Sequence, residues 1–177
     1  ERDARSWNEF VKISTDSTPY HLWEYAESLL STYNYRRFYL VAKENGEIAG
    51  VLPLIQVKSF FFGDKLISMP FCEYGGPLSK LNYIKKSLLK MSAKVANELE
   101  ADYVEIRNPP DNISDIDDRY GEVQRYVTFK IDITRSKEIL WLNLDKKTRN
   151  AVKKAMKNGV ELKEAKLEDL KLYYKLY

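Results

Sequence analysis

The chain has 177 residues, 44% hydrophobic and 31% charged, which excludes a disordered protein and supplies one core of ordinary size. Its net charge of +3 is too small for a protein that binds nucleic acid over its whole surface. A single cysteine, Cys72, excludes an internal disulfide framework and favours a reducing compartment, so we expect a cytoplasmic protein. The apolar runs of the chain are too short to span a bilayer, so we expect a soluble protein.

The first half of the chain carries five predicted elements. They are helices over 2–13 and 22–30 and strands over 38–42, 48–57 and 65–69. Asn45-Gly46 is typical of a tight hairpin turn, and Gly63-Asp64 marks a second turn that makes the third strand antiparallel. Phe60 to Phe62 are expected to pack on the local sheet, and burial in a partner subdomain is the alternative.

The second half alternates loops, helices and short strands. The predicted series is a loop over 70–77, a helix over 81–99, a strand over 102–107, an acidic surface loop over 111–122, a strand over 126–133, helices over 136–144 and 146–157, a strand starting at 160–163 and a helix over 168–177. Asp117 and Asp118 are expected to be solvated, and Gly159 stands where a helix C-cap belongs. The chain starts without methionine and stops inside a helical pattern, so we expect a fragment of a longer protein.

One predicted helix concentrates the positive charge. Residues 146–157 hold six cations and no acid, and the rest of the chain has 23 basic against 26 acidic residues. The cations fall on one side of the helix, opposite Thr148, Ala151, Val152, Ala155 and Met156. Like charges at helical spacing destabilise an isolated helix, so a bound anion would offset them. A solvated face, or pairing with acids such as those of 111–122, also explains the pattern.

Several motifs resemble one protein family. Leu144 to Asn150, Val152 to Ala155 and Lys157 to Val160 are similar to the signature of FemAB-type transferases, a branch of the GNAT acyltransferase superfamily. Four earlier segments resemble the opening subdomain of those proteins: 19–23, 38–43, 50–54 and 71–77. The resemblance implies a three-layer, GNAT-like α+β fold, with a mixed, largely antiparallel sheet and helices on both faces.

The resemblance also implies a domain plan and an activity. The plan is a first GNAT-like subdomain over 1–135, linking helices over 136–158 that include the basic helix, and the start of a second subdomain over 159–177. Characterised relatives transfer an amino acid from aminoacyl-tRNA to the peptide stem of a cell-wall precursor. We therefore expect part of an acyltransferase or aminoacyltransferase that is inactive without its C-terminal subdomain. A homo-oligomer through the exposed half-interface is a further expectation.

Two departures from the family narrow this expectation. The loop from Cys72 to Pro77 lacks the basic first residue and the Gly-x-Gly spacing with which CoA-dependent GNAT domains bind pyrophosphate, and Pro77 removes an amide donor. Acyl-CoA is therefore not supported, and no cofactor is expected. Trp23 is followed not by the phosphate-binding lysine of cell-wall members but by Glu24, Ala26 and Glu27, which weakens the case for a cell-wall precursor.

Other chemistries find less support in the sequence. His21, the single histidine, is expected to be a capping or packed residue, and no metal site is expected around it. Cys72 is expected to be a buried structural thiol, although a nucleophilic pair with His21 stays open. Tyr74, Gly75 and Gly76 form a groove loop that would let a ligand approach closely, and a simple turn is the alternative.

Two hypotheses for the site follow. In the first, a transferase binds phosphates of tRNA or of a nucleotide-linked small molecule through the basic helix, beside the groove loop, with its catalytic residues unknown. The predicted phosphate-binding residues are Lys146, Lys147, Arg149, Lys153 and Lys154. In the second, the same helix belongs to a non-catalytic module that binds RNA, with tyrosines available for stacking. A structural subdomain without its own activity is the remaining alternative.

Overall fold

The computed structural model describes residues 2–108, 115–123 and 127–176. The chain divides into two compact units, Glu1–Val127 (unit 1) and Thr128–Tyr177 (unit 2). The helices and strands of unit 1 are α1 (Arg2–Ile13), α2 (Trp23–Tyr33), β1 (Arg36–Glu44), β2 (Glu47–Ser59), β3 (Gly63–Ile67), α3 (Asn82–Glu98) and β4 (Tyr103–Glu105). Those of unit 2 are α4 (Lys137–Asn143), α5 (Lys146–Lys157) and α6 (Leu170–Leu176).

The sheet of unit 1 has the strand order β1-β2-β3-β4. β2 pairs antiparallel with both β1 and β3, and β4 pairs parallel with β3. Asn45 and Gly46 adopt φ angles of 50° and 85°, the left-handed backbone that a tight hairpin turn requires, so the first predicted turn is confirmed. β3 starts earlier than predicted because Gly63 already pairs with Ser59, which leaves 60–62 as the turn.

Helices pack on both faces of this sheet. Along β2, Val51 and Ile55 belong to clusters with residues of α1 and α2, whereas Leu52 and Leu54 pack against α3. The alternation follows from the two-residue period of a strand, which sends successive side chains to opposite faces. The predicted α+β class, with a mixed, largely antiparallel sheet between helices, is therefore confirmed.

The buried face of α3 includes a polar residue. Met91 is 45% exposed, and Ser92 is buried in its place. The Ser92 hydroxyl donates to the carbonyl of Leu89 (2.7 Å) and lies 2.6 Å from the hydroxyl of Tyr120. A contact with Tyr120 of the 115–123 segment therefore satisfies the buried hydroxyl of Ser92, and helical periodicity alone could not reveal this contact.

The acidic stretch is less solvated than predicted. Asp117 is 3% exposed, and its carboxylate accepts hydrogen bonds from the backbone N–H (3.2 Å) and the Nε (2.8 Å) of Arg119. These bonds hold the pKa of Asp117 below its ordinary value. The expectation of a solvated Asp117 is therefore wrong, whereas Asp118 is exposed as expected. Residues 109–114 of the predicted acidic loop lie outside the described residues.

Three other expectations differ from the structure. Residues 127–133 and 160–166 do not form strands, and residues 124–126 lie outside the described range. A strand needs a neighbour to satisfy its backbone N–H and C=O groups, and the described part of unit 2 contains none. Phe60 to Phe62 do not pack on the sheet but are exposed at the β2–β3 turn.

None of the described helices is both long and apolar enough to cross a membrane.

Candidate functional site

The basic helix α5 begins and ends where the sequence predicts. Asp145 is its N-cap, and its carboxylate accepts from the backbone N–H (2.9 Å) and the hydroxyl (2.7 Å) of Thr148. At the other end Gly159 has a φ of 76°, and the N–H groups of Gly159 and Val160 donate to carbonyls of the last turn. This is the Schellman arrangement, so the predicted glycine cap is confirmed.

The structure divides the predicted phosphate-binding residues into two groups. The lysines at positions 146, 147, 153 and 154 are exposed, as is Lys157. Arg149 is half-buried, and its Nη1 donates to the carbonyls of Leu142 (2.8 Å) and Leu144. Arg149 therefore joins the end of α4 to α5, and part of its hydrogen-bonding capacity is used within the chain.

The lysines of α5 form no ion pair with an acid among the described residues of unit 2. The pairs Arg135–Asp132 and Lys163–Glu161 lie outside α5, and the Asp145 carboxylate bonds Thr148. The opposite side of the helix is only partly covered, since Val152 and Ala155 are half-buried and Met156 is 70% exposed. The five lysines thus remain available to an anion.

The groove loop of unit 1 lies against the chain that continues from β4. The N–H of Gly75 donates to the carbonyl of Arg107 (2.9 Å). A Cβ atom on Gly75 would lie 2.6 Å from the Cβ of Met69, and one on Gly76 would lie 2.4 Å from the Oδ1 of Asn108. A side chain at position 75 would therefore displace Met69 or the backbone, whereas one at position 76 would mainly displace the end of the Asn108 side chain.

His21 fixes this loop from the other side. It is 2% exposed, its Nδ1 accepts from the backbone N–H of Thr18 (3.1 Å), and its Nε2 lies 3.0 Å from the carbonyl of Gly76. Because Nδ1 is an acceptor, Nε2 carries the proton and donates it to Gly76. Burial is the main effect that lowers the pKa of His21. The prediction of a packed histidine is confirmed.

Cys72 is a structural thiol, as predicted. Its Sγ donates to the carbonyl of Met69 (2.9 Å), and the residue is buried. Burial raises the pKa of the thiol to about 12, so the thiol is protonated at neutral pH. His21 and Cys72 each have their own backbone partners, and neither has the features of an activated nucleophilic pair.

Two adjoining cavities lie between the end of α1 and the segment that leads into α3. The smaller, of about 20 Å³, is lined in part by His21, Tyr74 and Gly76, so two groove-loop residues border a concave surface. The larger, of about 270 Å³, is lined by apolar side chains such as Phe10 and by the charged residues Asp16 and Lys80. Asp16 and Leu78 line both cavities.

Sequence reasoning missed this larger cavity. Ile13, which lines it, is 77% exposed at the last position of α1, where a helical pattern gives no sign that a cavity follows. Across residues 2–108, 115–123 and 127–176, no group of three or more histidine, cysteine, aspartate or glutamate side chains could hold a metal ion.

Comparisons with known proteins add a family and several structural likenesses. Three solved structures with similarity to the chain are acetyltransferases by name. A putative acetyl transferase from Pyrococcus furiosus is 19% identical, covers 62% of this chain and 73% of its own, and has a TM-score of 0.43. A ribosomal-protein-alanine N-acetyltransferase from Brucella melitensis biovar Abortus 2308 is 17% identical. The match covers 74% of this chain and 94% of that protein, with a TM-score of 0.46. A probable acetyltransferase is also 17% identical, with coverages of 73% and 87% and a TM-score of 0.40.

No curated protein matches the chain. The model of the FemAB family matches residues 115–177, which include α4, α5 and α6. The resemblance to FemAB-type proteins is therefore confirmed by a family match over that part of the chain.

Proposed function

We propose that the chain is part of a FemAB-type N-acyltransferase that uses aminoacyl-tRNA as its donor. The observation that carries the proposal is the family match over residues 115–177, which contains the whole of the basic helix α5. Within unit 2 the exposed lysines of α5 have no described carboxylate partner, and a polyanionic substrate would supply one. A helix that binds through its positive charge fits a donor such as tRNA, whose backbone is rich in phosphates.

In this proposal α5 positions the donor through its phosphates. Four exposed lysines and Arg149 would neutralise successive charges, with the lysines as flexible donors and Arg149 as a fixed one. Arg149 is fixed because its Nη1 already bonds two carbonyls, so its remaining N–H groups have a defined direction. Loss of Arg149 would therefore affect the joint between α4 and α5 as well as the binding of phosphate.

We also propose that the groove loop does not hold the pyrophosphate of acyl-CoA. Such a site needs free backbone N–H groups that point at the anion. The N–H of Gly75 donates to Arg107, the N–H of Leu78 donates to Val51 (2.9 Å), and Pro77 has no N–H. Positions 75, 77 and 78 therefore offer no free N–H group to a pyrophosphate, which favours a donor other than acyl-CoA.

Catalysis in this proposal comes from orientation of an amine and an activated ester, with electrostatic support from the protein. A covalent intermediate on the protein is disfavoured for two reasons. Cys72 is protonated and donates to a backbone carbonyl, and both ring nitrogens of His21 are bonded to backbone groups. The amine is the nucleophile, and the ester oxygen of the tRNA leaves with the proton that the amine loses.

The first experiment measures tRNA binding as a function of salt. Replacing Lys147, Lys153 and Lys154 by alanine should reduce the slope of log K against log salt by about 2 to 3, because each phosphate contact contributes about 0.7 to 0.9. A matched triple replacement of exposed lysines in unit 1, at positions 43, 86 and 90, should leave the slope unchanged. Equal effects of both variants would contradict a specific role for α5.

A second experiment separates the transferase from an RNA-binding module. In the longer protein that the resemblance implies, loss of the labelled amino acid from aminoacyl-tRNA is followed with and without a primary amine acceptor, and a labelled amide product is sought. Amide formation that depends on the α5 lysines supports the transferase. Tight, salt-dependent binding without amide formation indicates the non-catalytic module, and the absence of binding indicates a structural subdomain.

A further inference from the structure

The larger cavity of unit 1 has one wall that the fold holds in place. Leu78 is 3% exposed and exchanges two backbone hydrogen bonds with Val51 of β2, at 3.0 and 2.9 Å. The hydroxyl of Ser79 donates to the carbonyl of Ala49 (2.8 Å) and accepts from the backbone N–H of Leu81 (3.2 Å). The segment that leads into α3 is therefore fixed to the first half of β2, and this wall of the cavity is rigid.

Five apolar side chains line the cavity. They come from the end of α1, from β2 and from the segment before α3: Phe10, Ile13, Ala49, Leu78 and Leu81. Ile13 is 77% and Leu81 is 40% exposed, so these two side chains lie at its mouth. The volume of about 270 Å³ exceeds the roughly 150 Å³ of an apolar cavity that takes up benzene. The cavity therefore has room for one aromatic ring together with a few polar atoms.

Two opposite charges border the same cavity without pairing. Among the described residues, the side chains of Asp16 and Lys80 form neither an ion pair nor a hydrogen bond. The serine hydroxyls of the lining are already bonded within the chain, since that of Ser14 donates to the carbonyl of Phe10 (2.8 Å) and that of Ser79 to Ala49. The polar side-chain groups that remain for a ligand are thus one anion, one cation and the hydroxyl of Thr15.

We propose that this cavity binds a free α-amino acid with an apolar side chain, of which phenylalanine is the probe. The ring lies against Phe10 and Leu78, the ammonium group pairs with Asp16, and the carboxylate pairs with Lys80. An α-amino acid is zwitterionic at neutral pH and carries both charges beside one apolar group, so it can bridge an acid and a base that do not pair with each other. An apolar amine or an apolar acid would satisfy only one of them.

Burial of the ring supplies most of the affinity, and the charges determine orientation. Because Asp16 and Lys80 are exposed, each contact contributes about fivefold and no more. The residues that line the cavity all belong to unit 1, whereas the basic helix α5 belongs to unit 2. This inference therefore does not depend on the proposed transferase activity, and the two can fail separately.

The test is isothermal titration calorimetry of the 177-residue chain with phenylalanine and three analogues. A Kd of about 1 mM or lower is expected for phenylalanine, given its size. Phenethylamine, which lacks the carboxylate, and hydrocinnamate, which lacks the ammonium group, should each bind about fivefold more weakly. Alanine, which lacks the ring, should show no measurable binding.

Two variants identify which charge each ligand group contacts. Asp16→Asn should weaken phenylalanine binding about fivefold and should no longer distinguish phenylalanine from hydrocinnamate. Lys80→Gln should weaken it to the same extent and should no longer distinguish phenylalanine from phenethylamine. Matched replacements of exposed charges that do not line the cavity, Asp3→Asn and Lys90→Gln, should leave the affinity unchanged.

A third variant tests the apolar wall. Ile13 is exposed at the end of α1, so Ile13→Ser should leave the protein folded, which circular dichroism checks, and should weaken phenylalanine binding about fivefold. The proposal is overturned if phenylalanine does not bind, or if the cavity variants and the matched replacements behave alike. It is also overturned if either analogue with a single charge binds as tightly as phenylalanine, because the cavity would then recognise an amine or an acid alone.

Discussion

At the scale of single residues, His21 makes the stability of the fold depend on pH. Its pKa is lowered from the ordinary value of 6.5, so the unfolded chain takes up a proton at a higher pH than the folded chain. The free energy of unfolding should therefore decrease as the pH falls below about 6.5, by up to roughly 1.4 kcal/mol per pH unit, until the folded-state pKa is reached. Denaturant unfolding between pH 7 and 5 measures this loss.

The control uses the fact that His21 is the only histidine. His21→Gln keeps a donor and an acceptor near Gly76 and Thr18 but does not titrate. We expect a lower stability at pH 7 and a nearly flat profile over the same window. A slope in the variant as steep as that of the wild type would show that other groups cause the pH dependence.

Gly75 and Gly121 provide a matched test of internal packing. A Cβ atom on Gly75 would meet the Cβ of Met69 at 2.6 Å and the carbonyl oxygen of Ser68 at 2.9 Å, both of which the fold holds in place. Gly75→Ala should therefore lower the free energy of unfolding by about 1 to 3 kcal/mol. Gly121 has no atom within 4 Å of the same position, so Gly121→Ala should be neutral or slightly stabilising. Equal destabilisation of the two variants would contradict the close approach at Gly75.

At the scale of elements, α5 depends on its caps because few of its side chains are covered. Its like charges disfavour the helix, and Asp145 offsets them by accepting two hydrogen bonds from Thr148 and by placing a negative charge at the N-terminus. Asp145→Ala should reduce the helix content of unit 2 and cost about 1 kcal/mol of helix stability. Backbone chemical shifts of residues 146–157 measure this effect. Asp145→Ser should retain most of the helix, and an equal loss in both variants would argue against capping.

Short sequence motifs predicted the turns and helices that are stabilised by residues close together in the sequence. The Asn45-Gly46 turn, the Asp145–Gly159 limits of α5 and the helices of unit 1 follow from residues that are adjacent in sequence. The predicted strand over 126–133 failed within its described part because alternation indicates only that a segment could pair, and a strand forms when a partner is present.

The sequence predicted one part of the candidate site and could not predict the rest. Helical spacing placed the α5 lysines on an exposed surface, and their exposure in the structure agrees. It could not show that Arg149 bonds carbonyls at the end of α4, since that contact depends on the angle between two helices. The cavity that Asp16 and Lys80 line brings together residues far apart in sequence, so no motif could indicate it.

At the scale of the whole molecule, the two units differ in how much they bury. Unit 1 contains three hydrophobic clusters, whereas the described residues of unit 2 include no buried side chain. Local stability follows burial, so amide hydrogens of β2 and α3 should exchange slowly and those of α5 quickly. Hydrogen exchange followed by mass spectrometry measures both sets in the 177-residue chain.

A substrate that binds α5 should change this pattern selectively. With aminoacyl-tRNA at about a hundred times its Kd, binding to the helical state would slow exchange in α5 by roughly a hundredfold, because bound substrate adds its binding free energy to the folded helix. Amides of β2 should be unaffected. The variant with alanine at positions 147, 153 and 154 should bind less tRNA and show less slowing at the same concentration. Protection that appears in unit 1 alone would place the RNA contact away from the basic helix.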